Sequence, residues 1–190
     1  MKITDLKINN SNIKLGIDTA YPVFSWLNKS KETGKEQSAY RIIVSSSPEK
    51  AEKCTGDIWD SQKTTGENNY DISYKGEKLK SKTQYYWRVM IWDEKDGPSP
   101  WSETAGFETG IMAQDQWQAK WIGKPGMKIQ DRYSVLLRKE FAVKNKVKSA
   151  RAYICGLGLY DLKINGKNPD DTLLNPAHTQ YEKTVLYKRV

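Results

Sequence analysis

At 190 residues, with 37% hydrophobic and 28% charged residues, the chain suffices for one large domain or two small ones, and its composition excludes a disordered acidic tail. No apolar run approaches the ~18 residues of a spanning helix, so no membrane partner is expected. The net charge of +8 comes from lysines spread along the whole chain among acids, a solvated surface rather than a nucleic-acid site.

Turn residues recur along the chain, and the stretches between them alternate with period two, which predicts an all-β antiparallel sandwich. Ile3 to Ile8 and Leu15 to Ile17 read as a broken first strand. The polar and apolar alternation of Met1 to Leu6 holds an acid and leaves no secretory core, so a cytoplasmic chain is expected. Val23 to Leu27 is the second strand, entered through Tyr21-Pro22. Tyr40, Ile42 and Val44 mark the third. Ser47 to Lys53, with a capping serine and a first-position proline, fits one or two helical turns. Ile58 and Trp59 sit on a short fourth strand, and Tyr70 and Ile72 on the fifth. The sixth, Gln84 to Asp93, puts Tyr85, Trp87, Val89 and Ile91 on one face and Tyr86, Arg88, Met90 and Trp92 on the other. After the turn Asp96-Gly97-Pro98, the seventh runs through Ala105 and Phe107 to Gly110. The predicted core is Trp26, Tyr40, Ile42, Val44, Trp59, Leu79, Tyr85, Trp87, Val89, Ile91 and Phe107.

The polar link Gln114-Asp115-Gln116 breaks the periodicity, which sets modules at 1–112 and 113–190. In the second, strands are expected at Trp117 to Ile122, Val135 to Val143, Ala150 to Ile154 and Leu157 to Ile164, with Asn165-Gly166 closing a two-residue hairpin. Val185 to Val190 reads as a strand cut at its end, the mark of a shortened chain whose open edges pair in a homodimer or fray past about Asp170.

Little in the sequence carries chemistry. Asp93, Glu94 and Asp96 cluster beside Gly97-Pro98, where acids serve as turn formers. His178 is the only histidine and lacks a second member for a triad or metal cluster. Gly156-Leu157-Gly158 precedes a strand and lacks the lysine and helix of a phosphate cradle, so it reads as a close strand approach. Cys54 and Cys155 are isolated thiols with no metal or redox spacing. No catalytic residue, metal ligand or cofactor is expected. Tyr86 and Trp92, on the outer face, are the candidate aromatics for contact with a sugar or another module. Arg88 is expected over the ring of Trp101 or Trp92.

Trp26, Leu79 and Thr83-Gln84-Tyr85 leading into Trp87-Arg88-Val89 resemble a fibronectin type III domain. That resemblance implies a tyrosine corner, with the Tyr85 hydroxyl bonded to the main chain near Leu79. The sequence from Tyr86 to Asp93, Pro100-Trp101-Ser102, Phe107-Glu108-Thr109-Gly110 and Trp117-Gln118-Ala119-Lys120-Trp121-Ile122-Gly123 resembles the start of bacterial α-L-rhamnosidases of glycoside hydrolase family 78. Leu137 to Phe141, Ala150 to Tyr160 and Ile164 to Lys167 are similar to the jelly-roll, galactose-binding-like module that follows in that family. His178 departs from the pattern, which has tryptophan there. The resemblance implies a non-catalytic N-terminal portion of an inverting enzyme that hydrolyses terminal α-L-rhamnose. Its partners would be a catalytic helical barrel elsewhere in the parent protein and, through it, a rhamnose-containing glycoside. A free-standing carbohydrate-binding or interaction module is the alternative.

Overall fold

Strict alternation from Gln84 to Asp93 builds the longest strand among the described residues, and 37–45 and 105–109 pair with it on either side. The computed structural model describes residues 1–12, 14–128, 133–147 and 149–190. The chain divides into two compact units, Met1–Gln114 and Asp115–Val190.

In the first unit, β1 (Lys2–Ile8) pairs antiparallel with β3 (Val23–Lys29), which pairs with β7 (Ile72–Ser73). The facing sheet contains β2 (Leu15–Ile17), β4 (Gln37–Ser45), β5 (Trp59–Asp60), β6 (Thr64–Thr65), β8 (Gln84–Asp93) and β9 (Ala105–Thr109). Its order is β2-β9-β8-β4-β5, with β6 also on β4. The broken first strand thus changes sheets. Asn9 and Asn10 turn the chain at positive φ, a region asparagine tolerates. β2 then runs parallel to β9, while every other pairing in the unit is antiparallel. The short helix α1 (Pro48–Glu52) begins as its sequence predicts, with the Ser47 hydroxyl accepting from the Lys50 amide.

The inward faces meet in an aromatic core around Phe24. Its ring lies 4.7 Å from that of Trp87, 6.0 Å from Trp59 and 6.4 Å from both Tyr74 and Phe107. Trp26, Ile42, Val44, Leu79, Tyr85, Trp87, Val89, Ile91 and Phe107 are buried as expected, whereas Tyr40 and Trp59 are only half-buried. Ile3, Ile8, Ile17, Phe24, Tyr74 and Ala105 complete the core and stand outside the predicted set. Each fully buried large side chain contributes ~1.5–3 kcal/mol before entropy. The Trp26 indole N–H donates to Gln37 Oε1 (3.2 Å), and the amide of that buried glutamine donates to the carbonyls of Gly66 (3.0 Å) and Asn68 (2.8 Å). The tyrosine corner is present: the Lys80 amide donates to the Tyr85 hydroxyl at 2.9 Å.

In the second unit, β10 (Tyr153–Cys155) pairs antiparallel with β11 (Tyr187–Arg189). Asn165 and Gly166 both take positive φ between the bridged residues Ile164 and Lys167, as a two-residue hairpin turn requires. The strands expected at 117–122 and 135–143 do not form, and the one at 157–164 is reduced to isolated bridges at Tyr160 and Ile164. A period-two pattern marks a surface fit for burial, but a strand also needs a backbone partner. Here Leu136 is 93% exposed and Phe141 79%.

Candidate functional site

The outer face of the larger sheet carries the residues singled out for contact. Across β4 and β8, Ser45 stands opposite Tyr86, Ile43 opposite Arg88, Arg41 opposite Met90 and Ala39 opposite Trp92. Tyr86 and Trp92 are both half-buried. Tyr86 stands opposite Gly106, and its ring edge lies 3.4 Å from where a β-carbon would project. Trp92 faces Ala39, and the Lys63 ammonium lies 4.8 Å over its ring while pairing with Asp96.

The expected stack of Arg88 on an indole is not formed. The cation over Trp101 is Arg41, at 5.8 Å from the ring, gripped from its other side by Asp60 through bonds of 3.0 and 2.6 Å. Arg88 is turned instead to main-chain carbonyls. It donates to Ser102 O (2.7 Å) and to the α1 carbonyls of Ala51 (3.4 Å) and Glu52 (3.2 Å). A cationic side chain beside the C-terminal carbonyls of a helix is favoured by their partial negative charge, and the Ala51 carbonyl takes Arg88 in addition to the Cys54 amide. Arg41 alternates with buried Ile42 on β4, and that outward position was the signal for it in the sequence.

Electrostatically this face is closed on itself. The Arg41–Asp60 bond holds the guanidinium pKa above its ordinary value and the Asp60 carboxyl below its own. At the sheet's end, Asp93 accepts from the amides of Gly97 (2.8 Å) and Lys95 (3.0 Å) and, with Glu94, holds Lys35 at 3.2 and 3.0 Å. Asp93 is lowered first by the Gly97 amide, and Glu94 by a backbone hydrogen bond and by Lys35.

In the second unit, a cleft lined by Tyr160, Asp170, Asn175 and Lys188 holds about 30 Å³, room for one or two waters and too little for a pyranose ring. Lys188 pairs with Asp170 at 2.6 Å there. His178 is exposed and packs edge-on against Tyr181. Both thiols are free. Among the described residues no group of His, Cys, Asp and Glu could hold a metal ion, and no helix is long and apolar enough to cross a membrane.

The sandwich has a counterpart among known families. The family model described as the Rha78A-like N-terminal immunoglobulin domain matches residues 3–113, more than half of the chain. The chain belongs to this family. The α-L-rhamnosidase N-terminal domain model matches residues 145–190. Curated α-L-rhamnosidases of Formosa agariphila and Alteromonas sp. (strain LOR) are 33% and 36% identical over 95% and 97% of this chain. The chain spans about a fifth of the length of those relatives, 21% of each. Among solved structures, the α-L-rhamnosidase from Dictyoglumus thermophilum matches all of this chain with 23% of its own, at TM-score 0.88 and 38% identity. The Streptomyces avermitilis α-L-rhamnosidase complexed with L-rhamnose matches 65% of the chain with 12% of its own, at TM-score 0.62 and 38% identity. The chain therefore corresponds to the N-terminal modules of the rhamnosidase family.

Proposed function

We propose that the chain is the non-catalytic N-terminal portion of an α-L-rhamnosidase that removes terminal α-L-rhamnose with inversion, its catalytic carboxylates lying elsewhere in the parent protein. The observation that carries this reading is the match of the entire chain, at TM-score 0.88, to 23% of a solved rhamnosidase. An inverting enzyme needs a general acid with a raised pKa facing a base across the sugar. Among the described residues the carboxylates whose pKa departs from the ordinary value, Glu49, Asp57, Asp60, Asp93, Glu94 and Asp170, all move downward, toward permanent ionisation. They suit turns and ion pairs better than proton donation.

Tyr86 and Trp92 serve, on this reading, as contact aromatics for the rest of the parent protein. Trp92 has a cation over its ring and Tyr86 lies over a glycine, which supports edge packing against protein over stacking on a sugar. The purified chain should release no nitrophenol from 4-nitrophenyl α-L-rhamnoside, while the parent protein releases it and gives β-rhamnose as the first anomer seen by NMR. Turnover by the 190-residue chain would overturn the non-catalytic reading, and α-rhamnose appearing first would overturn inversion.

A further inference from the structure

Between β7 and β8 the even spread of lysines breaks down. Lys75, Lys78, Lys80 and Lys82 fall within eight residues, with Glu77 the one acid among them. All four are exposed, and none is held in an ion pair among the described residues.

The backbone beneath them is clamped. Leu79 is buried, and its amide donates to Ala20 O at 3.3 Å. The Lys80 amide donates to the Tyr85 hydroxyl at 2.9 Å, and its carbonyl accepts from Thr109 Oγ1 at 2.6 Å. Tyr74 donates its hydroxyl to Glu77 O at 2.9 Å, and the Lys82 amide donates to Gly110 O at 3.0 Å. The tyrosine corner therefore fixes the main chain from which four free cations project. Beside them Tyr21, 56% exposed, sets its ring 6.5 Å from that of Tyr74.

We propose that this loop and Tyr21 form a docking surface for an anionic polysaccharide carrying about one carboxylate per sugar ring. Four cations against Glu77 and the nearby exposed Asp18 make a surface of moderate charge density. That density matches a uronate polymer, whose charges are held apart by sugar rings. Duplex nucleic acid presents a charge every ~1.7 Å and is read by arginine forks, and this loop contains no arginine. Lysine ammonium groups are compact, hydrated point charges on flexible stems, suited to single, separated carboxylates. The Tyr21 ring supplies an apolar face with a polar tip. The choice of a saccharide over another polyanion rests on the rhamnosidase reading above.

Affinity electrophoresis of the full chain through polygalacturonate tests this at low salt. The chain should be retarded, and the retardation should fall steeply as salt is raised. K75E/K78E/K80E should weaken the apparent affinity by about tenfold or more. K29E/K31E/K95E changes the net charge equally at exposed lysines away from the loop and should leave the affinity within about twofold. Near-UV dichroism and thermal melts confirm that each variant is folded. Absence of retardation, an equal loss in both variants, or tighter binding to dextran sulfate or duplex DNA at the same salt would each overturn the proposal. None of these results touches the rhamnosidase reading, which is tested by hydrolysis.

Discussion

Asp57 gathers three donors just after α1: Lys50 Nζ at 2.7 Å, the Ser46 hydroxyl at 2.6 Å and the Ser46 amide at 3.0 Å. Desolvation pushes its carboxyl upward, but the hydrogen bonds from Lys50 and Ser46 outweigh it and hold the pKa at about 2 against an ordinary 3.8. The folded value lies below the unfolded one. Its stabilisation is therefore fully present above about pH 4 and is lost as pH falls toward about 2. Asp170 has the same sign, held at about 2 by Lys188 and Thr172. Asp57→Asn should accordingly destabilise the protein at neutral pH and converge on the parent in acid. Urea melts between about pH 6 and pH 2.5 measure this. A gap between the two proteins that stays constant across that range would exclude the assignment.

At the scale of elements, the segment Pro98-Ser99-Pro100-Trp101-Ser102 closes the sheet without enough backbone donors or acceptors in register. Ser99 and Ser102 donate their amides to the carbonyls of Ile91 (2.8 Å) and Val89 (2.9 Å), while their hydroxyls accept the amides of those same residues at 3.1 Å. Side-chain oxygens thus replace the carbonyls that a regular strand would present. Ser102→Ala strands the buried Val89 amide and should cost ~1–3 kcal/mol. A loss of exchange protection centred on Val89, with Ile91 spared, would show it by hydrogen exchange. A change below ~0.5 kcal/mol would mean that the amide finds another partner. Sequence reading reached β8 and the helix cap because each is set by neighbours within a few positions, and it reached the Tyr85 corner through the fibronectin type III resemblance. It missed the place of Arg88 because alternation tells which face a side chain takes and not what else crosses that face. The α1 carbonyls lie there, and only the fold brings them to Arg88. The contact role of Tyr86 and Trp92 had no signal beyond their outward positions, and the lysine loop was hidden by counting charge over the whole chain.

At the scale of the whole molecule, the two units differ in what holds them. Among the described residues past Ile111, Pro176 is the one that is buried. In that same stretch, Leu136, Phe141 and Leu173 are 93%, 79% and 81% exposed, and the regular pairing is one three-residue ladder. Local opening is easiest where buried apolar contacts are few. Proteases should therefore cut first beyond Asp115 and leave a fragment of about residues 1–114 that still melts cooperatively. Exposed apolar surface of this kind also drives self-association, so the intact chain should elute as a dimer at high concentration and the trimmed fragment as a monomer. Timed limited proteolysis with mass spectrometry, followed by gel filtration of the products, measures both. A first cut within 1–110 that spares 117–190 would place the stable half of the molecule on the wrong side of the boundary. A monomer at every concentration would remove self-association from the account while leaving the order of cleavage intact.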